Sequence, residues 1–192
     1  MSQFKFSVGP WNVHTGADSY GPATRKEIPL EEKFKRFKEI GFDAVQFHDD
    51  DAVPNLNELT EEEIREEARK LKKLLDKYDL KAEFVAPRLW MDPHTIDGGF
   101  MSTRKEDREF AMWRAKRSID IANELGTDLI VLWLAREGTL CEESKSPVWA
   151  TKQLISAINE MLEYDKHIRV CIEPKPNEPI DRSISVSYTH LR

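Results

Sequence analysis

Short apolar runs alternate along this chain with longer stretches in which apolar residues recur every three or four positions. The longer spacing marks one face of a helix, and a short apolar run bounded by turn signals marks a strand. Strands are expected at Phe4–Val8, Asp43–Phe47, Lys81–Ala86, Asp128–Leu132 and Ile168–Ile172. The run at 128–132 is apolar enough to be covered on both faces. Helices are expected at Leu30–Ile40, from Thr60 onward, at Asp107–Leu125 and at Pro147–Tyr164. In the first helix Phe34, Phe37 and Ile40 should share a buried face. In the second, Thr60 and Glu63 stand where a capping box wants them, and Ile64, Ala68, Leu71, Leu75 and Tyr78 form the inward stripe. Its acidic early turns and basic late turns suit the helix dipole.

Long helices alternating with short strands specify βαβ units and a parallel sheet. The segment Glu39-Ile40-Gly41-Phe42-Asp43-Ala44-Val45 is echoed by Glu124-Leu125-Gly126-Thr127-Asp128-Leu129-Ile130. Either the chain carries an internal duplication or helix-to-strand turns reuse one chemistry. No glycine-rich phosphate loop follows any strand, since Val8-Gly9-Pro10-Trp11 does not qualify, and this disfavours nucleotide binding. The expected fold is therefore α/β, of the TIM (β/α)8 barrel family. It would be a partial barrel of about five parallel strands with four long helices, because a full barrel takes about 250 residues.

Composition narrows the class. The 192 residues carry a formal net charge of -6, which argues against a nucleic-acid surface. The longest apolar run, Leu129 to Ala135, is too short to span a bilayer. The start, Met1-Ser2-Gln3-Phe4-Lys5, lacks the regions of a signal peptide. Cys141 and Cys171 form neither a disulfide framework nor a metal-type pair, and with no export signal they point to a reducing cytoplasm.

In parallel barrels, chemistry sits where each strand runs into its following loop. The expected strand ends carry Trp11; then His48-Asp49-Asp50-Asp51; then Arg88 and Trp90; then Trp133 with Arg136 and Glu137; then Glu173-Pro174-Lys175-Pro176-Asn177-Glu178-Pro179. These are expected to converge on one mouth. Bland alternatives stand beside each. Tryptophans also fill cores, His48 could be a satisfied surface histidine, and Glu173 with Lys175, two apart on an extended segment and so facing one side, could be a structural ion pair. Asp49 and Asp50 read as solvated loop charges and are left unassigned. So are His14, His94, His167 and His190, and the Glu61-Glu62-Glu63, Glu66-Glu67 and Lys72-Lys73 runs read as a solvated helix face.

Taken in order, Trp11, Tyr20-Gly21-Pro22-Ala23-Thr24-Arg25, Phe47-His48-Asp49-Asp50-Asp51, Asp97-Gly98-Gly99-Phe100, Leu132-Trp133 with Arg136-Glu137-Gly138, and Glu173 to Pro179 resemble the xylose isomerases. The resemblance covers nearly the whole chain but only about the first half of that family's barrel. It implies interconversion of an aldose and a ketose (D-xylose to D-xylulose) by hydride shift, with two divalent cations, magnesium or alternatively manganese or cobalt. His48 would assist ring opening, with Asp51 fixing its tautomer. Lys175 would stabilise charge on the carbonyl oxygen, and Glu173 would ligate a metal. Trp11, Trp90 and Trp133 would wall the sugar. Tyr20 would be lent to a neighbouring subunit, implying a homo-oligomer, a dimer or tetramer.

Departures from the family pattern concern the substrate end. Trp90 stands where phenylalanine is usual, and Ala86-Pro87-Arg88 and Leu134-Ala135 differ too. Residues 1–179 are expected to form the N-terminal part of such a barrel, and 180–192 a divergent tail, non-native or disordered. These 192 residues alone are expected to be inactive, because the single carboxylate of Glu173 cannot hold two cations. The competing readings are another metal-dependent sugar isomerase or epimerase, a DNA-repair endonuclease (which needs a basic groove and more histidine ligands), and a truncated chain without function. No nucleic-acid or membrane partner is expected.

Overall fold

The computed structural model describes residues 4–17, 21–137 and 144–174. Tyr20, Cys141, Lys175 and the tail at 180–192 lie outside them. Five strands alternate with helices in the order β1 (Ser7–Val8), α1 (Leu30–Ile40), β2 (Ala44–His48), α2 (Asp49–Ala52), α3 (Glu61–Lys77), β3 (Lys81–Ala86), α4 (Lys105–Leu125), β4 (Leu129–Trp133), α5 (Pro147–Tyr164) and β5 (Arg169–Glu173). The strands run parallel, as the βαβ pattern requires. No helix among the described residues is long and apolar enough to cross a membrane. They group into two compact units: one runs to Val85 and adds Ile121–Thr127, and the other comprises Ala86–Asp120 and the chain from Asp128 onward.

In the first unit β1, β2 and β3 are neighbours in that order, with Ser7 opposite Ala44 and Val8 opposite Val45. Strand side chains alternate between faces. Val45 and Phe47 are fully buried, and Phe47 meets the ring of Phe34 on α1 edge-on at 6.1 Å. Ala44, Gln46 and His48 take the other face and are only half-buried. There Gln46 Nε2 donates to Ser7 Oγ at 2.9 Å and to Glu83 Oε2 at 2.8 Å, and the Ser7 hydroxyl donates to Glu83, so polar side chains tie the three strands together. Helix α3 begins as the sequence indicates. The Thr60 amide donates to Glu63 Oε2 at 2.8 Å and the Glu63 amide to Thr60 Oγ1 at 3.3 Å, and Ile64, Ala68, Leu71 and Leu75 are buried.

Four expectations need correction in this unit. First, β1 is shorter than Phe4–Val8, and Phe4 and Phe6 are 83% and 60% exposed. The ladder opens only at Ser7, and the Phe6 amide turns instead to Asp43 Oδ2 at 3.1 Å. Second, Ile40 is 73% exposed. Gly41 takes the left-handed conformation (φ 103°) that ends α1, the Phe42 amide bonds back to Phe37 O at 3.0 Å, and Phe42 packs edge-on against Phe37, so Phe42 fills the place expected of Ile40. Third, Tyr78 lies just past the end of α3, half-buried, and its hydroxyl donates to Glu31 Oε1 at 3.0 Å. Fourth, Asp49 is fully buried at the start of α2, where its Oδ1 accepts the Asp50 amide at 2.9 Å.

The second unit pairs β4 with β5 from Leu129 opposite Arg169 to Trp133 opposite Glu173. Both strands begin and end one residue later than expected. Ile130, Val131 and Leu132 are buried, as their apolar run requires. Ser146 caps α5 by accepting the Trp149 amide at 3.3 Å, with Pro147 in the first turn. A polar set joins α5 to α4: Arg117 Nη2 lies 3.1 Å from Asp120 Oδ2, both residues buried, and the hydroxyl of the more exposed Tyr164 donates to Asp120 Oδ1 at 3.1 Å.

Candidate functional site

The first unit brings together three of the sequence-derived candidates. Trp11 lies on a 3-10 turn, Pro10–Asn12, just after β1. The buried ammonium of Lys33 on α1 pins this turn by donating to Pro10 O at 3.3 Å. Gly9 is required beside it, since a Cβ there would collide with the Trp11 indole. That indole meets the His48 imidazole with ring centres 4.2 Å apart and planes tilted by 40°.

His48 ends β2, and Asp51 lies in the first turn of α2. The strand-to-helix turn brings the carboxylate back over the ring, with Asp51 Oδ2 2.7 Å from His48 Nδ1. The same oxygen accepts the His48 amide at 3.4 Å. The side chains are 15% and 24% exposed, sheltered yet reachable by solvent. A carboxylate at Nδ1 makes that nitrogen the proton carrier, so Nε2 bears the lone pair in the neutral ring. Such a histidine offers Nε2 as a proton acceptor to a group that meets it there, and can return the proton from the same atom.

The second unit brings together the other two candidate tryptophans, Trp90 and Trp133. Trp90 and Trp133 meet edge-to-face with centres 4.5 Å apart, and the Arg88 guanidinium carbon lies 5.6 Å from the Trp90 ring. Glu173 is half-buried and stands opposite Trp133 in the parallel register, which puts both side chains on one face. Glu173 offers a hard oxygen donor of the kind a divalent cation takes. Yet no group of three His, Cys, Asp or Glu side chains among the described residues could hold a metal. The described residues therefore do not by themselves make the expected two-metal centre.

Glu137 lies four residues past Trp133. Its side chain is buried, and its two carboxylate oxygens accept the amides of Phe100 at 2.7 Å and Met101 at 2.8 Å. Gly98 (φ 85°) and Gly99 make the close approach possible: a Cβ on Gly98 would stand 3.0 Å from Glu137 Oε2, and one on Gly99 3.1 Å from Oε1. Burial pushes the Glu137 carboxyl up, outweighing the Met101 and Phe100 amides and the nearby Lys145 ammonium, which all pull it down. Lys145, its side chain fully buried, lies 3.2 Å from Asp97 Oδ1 and donates to Asp97 O at 2.5 Å. For Asp97, burial pushes the carboxyl up, but the Thr103 amide and Lys145 together hold it below the usual range. The sequence signal was the Gly98-Gly99 pair standing ahead of an acidic residue that follows a strand.

Residues 34–187 match the family described as Xylose isomerase-like TIM barrel. Among solved structures, the chain resembles a D-tagatose 3-epimerase-like protein (TM-score 0.67, 18% identity, 98% of this chain and 58% of that one). It also resembles D-psicose 3-epimerase from Clostridium cellulolyticum H10 (TM-score 0.64, 11% identity, 94% and 55%). A third is an AP endonuclease, family 2, from Brucella melitensis (TM-score 0.62, 14% identity, 94% and 58%). The chain thus spans little more than half the length of these structures, and at such identities the likeness is one of fold. The family match over residues 34–187, together with the alternating strands and helices, shows that this chain belongs to the xylose isomerase-like TIM barrel family.

Proposed function

We propose that this chain carries part of the machinery of a sugar isomerase or epimerase, an enzyme that relocates a carbonyl or inverts a carbon of a free sugar. The observation that carries the reading is the His48–Asp51 pair beside the Trp11 indole. Ring opening and epimerisation both need a proton moved at a sugar oxygen or carbon, and a histidine in a fixed tautomer supplies that step. In this reading His48 Nε2 moves the proton and Asp51 holds the ring. The Trp90–Trp133 pair offers the flat apolar faces that sugar C–H surfaces stack on, and Glu173 borders it with a hydroxyl acceptor. Lys175 is proposed to stabilise charge on the sugar's carbonyl oxygen, and Tyr20 to reach the site of a neighbouring copy in a homo-oligomer.

Two similar structures whose names specify sugar epimerases, the D-psicose 3-epimerase and a 3-keto-D-glucoside 4-epimerase from E. coli, support a sugar as substrate. The net charge of -6 favours that over a DNA backbone. The finer reading, D-xylose to D-xylulose, is favoured by Phe47-His48-Asp49-Asp50-Asp51 together with Glu173-Pro174-Lys175. The test is carbon-13 NMR of D-xylose and of D-psicose incubated with a complete barrel carrying these residues, with magnesium or manganese added. Xylulose formation supports the finer reading and a 3-epimer supports epimerisation. Turnover unaffected by His48→Ala removes the histidine from the chemistry.

A further inference from the structure

Glu137 is a buried acid that neither the sugar-stacking wall nor the histidine pair uses. Its two carboxylate oxygens are bound to consecutive backbone amides, those of Phe100 and Met101, on the segment that follows β3. Glu137 itself belongs to the segment that follows β4. Trp90 lies four residues past the end of β3 and Trp133 is the last residue of β4, and their ring centres are 4.5 Å apart. The two stretches of chain are therefore joined twice: by an indole pair near the strands, and by a carboxylate-to-amide clasp further along. On the same side Lys145, just ahead of α5, is fixed to Asp97 at 3.2 Å and so holds the loop one residue before Gly98. Glutamate fits this place for a stated reason. Two convergent N–H donors need two acceptor oxygens, and no neutral side chain of the same length offers both. The two glycines leave room for it, since a Cβ on either would crowd a Glu137 oxygen at 3.0–3.1 Å.

We infer that Glu137 is a positioning residue, whose clasp on the Phe100 and Met101 amides sets the mutual geometry of the Trp90–Trp133 pair. The inference deepens the proposed function, because that pair is the proposed sugar wall, but its geometry stands without any sugar.

The test uses the circular-dichroism couplet that two indoles in contact produce, measured on the full chain without ligand. Trp133→Phe defines the part of the spectrum that belongs to this pair. Glu137→Gln keeps the size but turns an amide NH2 toward a backbone N–H, and it is expected to lose most of that part. Leu71→Ala, in the core of the first unit, destabilises the chain elsewhere and should retain it. If Glu137→Gln does not fold, Gly99→Ala decides, because its Cβ would meet Ala111 Cβ at 2.9 Å and Glu137 Oε1 at 3.1 Å, so the neighbouring Phe100 and Met101 amides must shift against a carboxylate that is still present; it too should weaken the couplet. A folded Glu137→Gln or Gly99→Ala protein with the wild-type couplet overturns the inference, as does a Leu71→Ala protein that loses it equally. Absence of sugar binding with the couplet still dependent on Glu137 would instead count against the proposed function alone.

Discussion

Asp51 Oδ2 stands 2.7 Å from His48 Nδ1, and the same oxygen accepts the backbone amide of His48. One carboxylate therefore holds both the ring and the turn that carries it. Asp51→Asn keeps the shape but offers an amide that can equally donate to Nδ1, so the ring loses its reason to keep one tautomer. Nitrogen-15 NMR of the imidazole should show the Nδ1–H tautomer in the wild type and a mixture or the Nε2–H form in the variant. In a complete enzyme, turnover should fall by about 10²–10⁴-fold. The stability cost should stay near 1 kcal/mol, because the pair is partly solvated.

Gly9→Ala tests the packing of Trp11. The new methyl has no space against the indole, so either the ring or the turn must shift. A loss of about 1–3 kcal/mol is expected from chemical denaturation. Quenching of Trp11 emission by the neighbouring imidazole should be relieved. Unchanged emission and stability would mean that the indole does not lie over Gly9.

The corrected face of α1 gives a contrast in stability. Leu75 is fully buried and Ile40 is 73% exposed, although both are apolar residues in helical register. Leu75→Ala should cost about 2–5 kcal/mol. Ile40→Ala should change stability by no more than about 0.5 kcal/mol. Urea denaturation of both variants checks the pair, and equal losses would restore Ile40 to the core.

Most of the fold was legible because its signals are periodic. The α3 stripe and its Thr60–Glu63 box, the apolar run of β4 and the strand ends carrying Trp11, His48, Trp90 and Trp133 all rest on spacing and side-chain type. What escaped depends on backbone geometry. Periodicity cannot tell that Phe42, beyond a left-handed glycine, replaces Ile40 against Phe37, or that the paired register of β1 opens only at Ser7, with the Phe6 amide turned to the Asp43 side chain. An aspartate in a charged triplet reads as solvated, and Asp49 is buried because α2 starts at once and its own next amide satisfies it. Glu137 was hardest to read, since its partners are backbone amides of residues whose side chains say nothing about it.

Glu137 also gives a pH signature with a definite sign. Burial raises its carboxyl, so between the ordinary value of 4.5 and the raised one the folded chain holds a proton that the unfolded chain releases. Its contribution is thus full below 4.5 and is lost as pH rises through the folded value. Asp97 runs the other way: its carboxyl is lowered, so its contribution is present above the ordinary 3.8 and is lost as pH falls through the folded value. Urea unfolding from mildly acidic to neutral pH should show the wild type losing stability relative to Glu137→Gln as pH rises. A difference that stays flat would contradict a raised Glu137.

The claim that these residues serve a sugar is tested most directly by saturation-transfer NMR, with the chain presented separately with D-xylose, D-psicose and D-tagatose. Saturation should reach the C–H protons of at least one sugar and fall sharply in Trp133→Ala. No transfer to any of the three, or transfer that persists undiminished without the Trp133 indole, would contradict it.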